Sequence, residues 1–150
     1  MPSEKDVLTH ELVDAALSVL PLLPKKIFGT SHVVKKDELH LSHFHVLRMI
    51  ETEEPIQMTF IAKKLDINKS NLTPIIQKLM EKEFIKKKKD AHDRRITYLE
   101  ISKYGKQYTS EMKMELHRIV QERFSKLTDE EKSELHQAFL TIHMILLELE

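Results

Sequence analysis

Lys86 to Lys89 form an unbroken cationic run, and Asp93, Arg94 and Arg95 follow it after a short polar turn. Ammonium groups attract a polyanion regardless of its sequence, whereas guanidinium groups add a planar fork of donors suited to phosphate and base edges. Upstream, Lys69, Ser70, Asn71, Thr73, Gln77 and Lys78 fall at spacings that place them on one side of a helix. Amides and hydroxyls arranged in this way both donate and accept hydrogen bonds, as reading base edges requires. These groups suit binding rather than bond-making. The sequence has no Gly-rich phosphate loop, no nucleophile beside an activating base and no carboxylate pair at acid-base spacing, so an enzyme is not expected.

Such side chains need rigid elements to present them. Phe60, Ile61 and Leu65 are expected to face inward from one short helix, with Ala62 small enough for a second helix to cross closely. Asp66 and Ile67 supply the turn and Asn68 the cap of that second helix, whose inner side is Leu72, Ile75, Ile76, Leu79 and Met80. Ile96 to Ile101 alternates like a strand, and Phe84 to Lys89 is its expected partner, with lysines on both faces. Between them DAHDRR forms a hairpin tip that can enter a minor groove. The whole reads as a helix-turn-helix with a two-stranded wing, a unit for double-stranded DNA.

Charge distribution agrees. Lys plus Arg and Asp plus Glu each total 24, yet residues 55 to 103 hold 12 basic and 6 acidic side chains. Residues 1 to 54 and 104 to 150 each hold 6 basic and 9 acidic ones. A neutral chain therefore carries a localised positive field. No uninterrupted apolar run reaches the roughly 18 residues that span a bilayer, and the start MPSEKD does not read as a signal peptide. A cytoplasmic protein with no membrane partner is expected. With no Cys, disulfides and thiolate metal ligands are excluded.

The two ends read as helices with other work. Val7, Leu8, Leu12, Ala15, Ala16, Val19 and Leu20 recur at helical steps, as in a helix buried along one side, until Pro21 and Pro24 end or kink it. Lys25 to Val34 reads as a further helical piece, Lys35 to His40 as a loop, and Ser42 as the cap of a helix carrying Phe44, Leu47 and Ile50. Past the wing, Tyr108, Met112, Leu116, Ile119 and Val120 line one side of a long helix. Thr128 and Glu131 form a capping box for a last helix with a stripe of Leu135, Phe139, Ile142, Leu146 and Leu149. The expected fold class is mainly α with a small β-wing. A winged helix-turn-helix lobe over residues 36–103 joins a helical dimerisation region, 1–35 and 104–150, whose interface includes Leu12, Val19, Phe139, Ile142, Leu146 and Leu149.

The sequence resembles the MarR (multiple antibiotic resistance regulator) family of winged-helix transcription factors along nearly its whole length. The resemblance rests on LSHFHVLRMI, IAKKLDINKSNLTPIIQKLMEKEFI, DAHDRRITYLEIS, KYGKQ and LTDEEK. It implies a homodimer with interlocked terminal helices, which binds a pseudo-palindromic operator as a regulator, in most cases a repressor, released by a small-molecule effector. By the same resemblance Arg94 is the wing-tip arginine of the minor groove, Asp93 the acid that fixes the tip and Arg95 a neighbouring basic contact. Effectors of the family bind between the dimer helices and the lobe, which offers His45, Arg48 and Met49 as lining residues. The chain departs from the family at Asp66 and Glu83, where glycine is usual and left-handed backbone is expected, and at Pro74 in the recognition helix.

Nine histidines raise a second reading, a zinc-responsive regulator of the same fold. His40, His43 and His45 cluster in sequence, and His10 and His117 could join them in a dimer, but His43 and His45 point to different sides of a helix and Gln121, not a histidine, lies four residues after His117. Neither a metal site nor a cofactor is therefore expected. A winged helix that binds protein or RNA is the remaining alternative; Tyr98 is the one aromatic of the wing available to stack on a base.

Overall fold

A computed structural model of the chain describes Met1, residues 3–29 and residues 39–149. Most of the loop expected over Lys35 to His40, and the end of the helical piece expected over Lys25 to Val34, lie outside the described residues. The chain divides into two compact units, Met1–Thr30 with His117–Glu150 and Ser31–Leu116. The division falls within a long helix, at His117.

In the second unit, α3 (Leu41–Glu53), α4 (Met58–Lys64) and α5 (Lys69–Glu81) precede the hairpin β1 (Ile85–Lys89) and β2 (Thr97–Ile101), and α6 (Lys103–Arg123) starts directly after it. The strands pair antiparallel with Ile85 opposite Ile101 and Lys89 opposite Thr97. Ile56 adds a bridge to Leu99, so the sheet base is tied to the chain before α4. Val46, Leu47 and Ile50 of α3, Ile61 of α4, Leu72, Ile76 and Leu79 of α5 and Leu99 of β2 form one buried cluster. Tyr108 and Met112 extend it into α6, where the Phe84 and Tyr108 rings stack at 4.7 Å. The early half of α6 thus belongs to the lobe's core. Its close approach depends on Gly105, where an added Cβ would collide with the Phe84 carbonyl oxygen and lie 2.7 Å from Ile101 Cγ1.

Three local expectations are corrected. The cap of α3 is His40, not Ser42: the His40 backbone N–H donates to His43 Nδ1 at 3.0 Å, so an imidazole takes the place of the carboxylate of a capping box. Phe60 faces solvent at 44% exposure, because the inward positions of the short α4 are Met58, Ile61 and Leu65. Its ring lies under the Lys64 ammonium, 5.1 Å away. Asn68 occupies the cap position of α5 but makes no side-chain cap hydrogen bond. Both glycine-like positions have left-handed backbone, with φ of 50° at Asp66 and 58° at Glu83.

The first unit holds α1 (Glu4–Val19), α2 (Leu23–Phe28), the later part of α6 and α7 (Asp129–Leu147). Ser3 and Asp6 form a reciprocal cap for α1, and Thr128 with Glu131 does the same for α7. Arg123 Nε donates to the Lys26 carbonyl at 2.7 Å and its terminal nitrogen to that of Lys25 at 3.0 Å, a cationic cap on the end of α2. The apolar side of α1 is not covered by the described residues: Leu8 and Leu12 are each 67% exposed, and of the expected set only Ala16 is half-buried. On α7, Leu135 and Phe139 are half-buried, whereas Ile142 and Leu146, like Leu149 just past its end, are exposed. The segment Glu4–Phe28 also contains an 18-residue window apolar enough by length and composition to cross a membrane, with a mean hydropathy of 1.3.

Candidate nucleic-acid interface

α5 is held by Leu72, Ile76 and Leu79 in the core, which turns Lys69, Ser70, Asn71, Thr73 and Gln77 to solvent. Lys78 lies at the edge of this face, half-buried. The Thr73 hydroxyl donates to the Lys69 carbonyl at 2.9 Å, leaving its oxygen free to accept only. Pro74 sits inside the helix on the exposed side, and its missing N–H removes the bond that the Ser70 carbonyl would accept.

The lysine run splits by strand alternation. Lys86 and Lys88 share one face with Glu100, their ammonium nitrogens 4.0 and 3.4 Å from its carboxylate. Glu100 therefore offsets charge on that face. Lys89 Nζ donates to the Arg94 carbonyl at 3.2 Å, fastening the strand to the tip. Lys87 projects into a cleft with Lys69, Arg95 and Thr97. That cleft brings the start of the recognition helix and the wing to one place.

The tip is built on two aspartates. Asp90 accepts from the backbone N–H groups of His92 and Asp93 at 2.8 and 2.9 Å. Asp93 Oδ1 accepts from the Arg95 backbone N–H and Nε, both at 3.0 Å, and Oδ2 accepts from the terminal nitrogen at 3.0 Å. These bonds hold the Asp93 carboxyl below the usual carboxylate range and raise the Arg95 guanidinium above its own. Arg94 is exposed at the apex. Arg95 thus helps to shape the tip, and Asp93 acts on the tip through it.

On α3, His45 and Arg48 are exposed and Met49 is half-buried. Arg48 lies 5.9 Å from the Phe44 ring centre. His45 is held below the ordinary imidazole range by desolvation first and by Arg48 second. In the other unit a cleft of about 420 Å³ opens between α6 and α7, floored by Val120, Phe124, Leu135 and Phe139 with His117 and His136 beside them. No group of three or more His, Asp or Glu side chains among the described residues is arranged to hold a metal ion.

Sequence reasoning did not single out Thr59, Thr97 or Gln57, which share the cleft with Lys87, nor Glu100, which balances its neighbours. Alternation along β1 could have divided the lysines. The cleft itself needed the packing of α4 against the hairpin.

Residues 39–97 match the model of the MarR family. An uncharacterised HTH-type transcriptional regulator of Bacillus subtilis, YpoP, is 27% identical over 115 residues, 77% of this chain and 82% of that protein. Among solved structures, the fold is shared with Staphylococcus aureus MarR in complex with salicylate and kanamycin, with TM-score 0.74, 17% identity, and 98% and 97% of the two chains covered. It is shared also with Streptococcus pneumoniae FabT in complex with DNA, with TM-score 0.63, 16% identity, and 98% and 100% covered.

Proposed function

We propose that this chain, whose residues 39–97 match the model of the MarR family, is a winged-helix DNA-binding transcriptional regulator of that family, acts as a homodimeric repressor on a pseudo-palindromic operator and is released by a small-molecule effector. The observation that carries the reading is the cleft where Lys69 of the recognition helix meets Lys87 and Arg95 of the wing. One lobe can then engage a major groove through α5 and the adjoining minor groove through Arg94. Lys69 and the lysines of β1 supply attraction that is blind to sequence; Asn71, Gln77, Thr73 as an acceptor, and Arg94 supply discrimination. The solved FabT complex with DNA supports the first part of this reading and the salicylate complex of MarR the last.

The terminal helices form the dimerisation region, through α1, α2, α7 and the part of α6 from His117 onward. Leu8 and Leu12 on α1 and Leu20 at its end, with Ile142, Leu146 and Leu149 at the other end of the chain, expose large apolar side chains of the kind a partner surface covers. A second copy covers them and supplies the twofold symmetry that a palindromic site requires. Lys5, Asp6, Glu11 and Asp14 along α1 favour such a protein partner, in the cytoplasm, over lipid. The effector enters beside His45, Arg48 and Met49 and favours a lobe spacing that the duplex cannot match.

Binding to duplex and single-stranded probes over a salt series, with mass measured by sedimentation, tests this function. A dimer that prefers duplex, with affinity falling steeply as salt rises, is the expected result. A monomer, a membrane-bound protein, or equal binding to single strands would contradict it.

A further inference from the structure

Phe60 is an exposed aromatic held in place by a chain of two contacts. Glu53, at the end of α3, pairs with Lys64 at 3.3 Å, and the Lys64 ammonium lies 5.1 Å from the centre of the Phe60 ring. The ring forms one wall of a cleft of about 540 Å³ that also takes in Pro55, Gln57, Lys63 and Tyr98. An open sheet edge runs along the same cleft. Ile56 donates to the Leu99 carbonyl at 3.1 Å and accepts from the Leu99 N–H at 2.7 Å. The peptide units on either side of Ile56 are planar and trans, so in each of them N–H and C=O point in opposite directions. The Pro55 carbonyl and the Gln57 N–H are therefore turned away from β2, and neither makes a hydrogen bond with the described residues. Glu53 is occupied by Lys64, whereas exposed Lys63 has no ion-pair partner among the described residues.

We infer that this cleft takes an extended peptide of a partner protein, which adds a strand beside Ile56 by donating to the Pro55 carbonyl and accepting from the Gln57 N–H. An aromatic or leucine side chain of that peptide fills the space between Phe60 and Tyr98, and an acidic one meets Lys63. The backbone bonds would accept any extended sequence; the pocket and the lysine select among them. A free edge is a template for another chain, and this one is neither charged along its length nor covered. The inference goes beyond DNA binding and gives the lobe a second, protein partner.

The test presents the full-length protein, without DNA, to a displayed library of short random peptides and titrates the selected peptides in blocked form. They should share an aromatic or leucine residue with Asp or Glu close by. Phe60→Ala and Lys63→Glu should each weaken binding about tenfold with the melting temperature unchanged, since both side chains face solvent. Replacing the acidic residue of the peptide by lysine should restore binding to Lys63→Glu. N-methylation at one position of the peptide should weaken binding about tenfold or more, and at the adjacent positions leave it intact, because only alternate N–H groups face the edge. Failure to select any such peptide, indifference to Phe60 and Lys63, or indifference to N-methylation at every position would overturn the strand. Benzoate binding that is lost in Phe60→Ala, in place of peptide binding, would assign the cleft to a small anion instead, and dissociation of a dimer by Phe60→Ala would assign it to a second copy. Either result overturns the inference while leaving duplex binding, titrated separately, untouched.

Discussion

The Glu54 carboxylate accepts the Ile101 backbone N–H at 2.8 Å, joining positions 47 residues apart. Its other oxygen lies 3.9 Å from Lys106 Nζ on α6. The end of α3, the base of the wing and the start of α6 therefore meet at one side chain. Removing it would leave the N–H of a buried residue without its acceptor, at a cost of about 2 kcal/mol. Glu54→Ala should lower the melting temperature by several degrees, and Glu54→Gln, which keeps an acceptor, by less. Equal melting of all three proteins in a thermal scan would show that the wing does not depend on this anchor.

Glu83 turns the chain from α5 into β1 with a φ of 58°, a conformation costing a residue with a Cβ about 1 kcal/mol. Its carbonyl accepts the Ser102 hydroxyl at 2.6 Å, a bond that any residue at this position retains. Glu83→Gly should therefore raise stability by about 1 kcal/mol in denaturant titration, with duplex affinity unchanged. A loss of stability would mean that the Glu83 side chain contributes more than its backbone strain costs.

Much of this architecture was legible in the sequence for physical reasons. The turn through Asp66, the inner side of α5, the alternation of β2 and the Thr128 cap depend on periodicity or on neighbours three residues apart, which sequence displays directly. Glu54 did not stand out, because its partner is fixed only when the hairpin packs beside α3. Phe60 misled because aromatic residues are commonly buried, whereas the short α4 had already filled its inner side with Met58, Ile61 and Leu65. The family resemblance already set Arg94 apart as the wing-tip arginine and Asp93 as the acid that fixes the tip, but it did not show which side chain Asp93 holds. Only the folded tip shows Asp93 gripping Arg95 while Arg94 stands at the apex.

That division sets a further expectation. Arg94→Ala should weaken a selected duplex about tenfold, with less loss on random sequence, and leave the melting temperature unchanged. Asp93→Asn should weaken binding as well, because Arg95 loses its carboxylate partner and the tip loosens. Competition titrations with the two duplexes measure this. Parental affinity in Arg94→Ala would remove the apex from the recognition surface.

His43 provides a pH dependence. Burial first, then the charges of His40 and Lys78, lower its pKa below the ordinary 6.5. Below 6.5 the unfolded chain takes up a proton that the folded chain resists. The stability due to neutral His43 is thus complete above pH 6.5 and is lost as pH falls through its lowered folded value. Protonated Nδ1 could no longer accept the bond that caps α3. The melting temperature of the parent should fall on acidification from neutral pH, and His43→Gln, which keeps an acceptor without titrating, should fall less. Parallel curves for the two proteins would exclude His43 as the source.

Hydroxyl-radical footprinting on a duplex selected by the protein tests the central claim most directly. Two protected patches of equal strength, centred about one helical turn or 34 Å apart and flanked by protected minor grooves, are the predicted result for paired lobes on one duplex. A single patch, or protection without twofold symmetry, would contradict it.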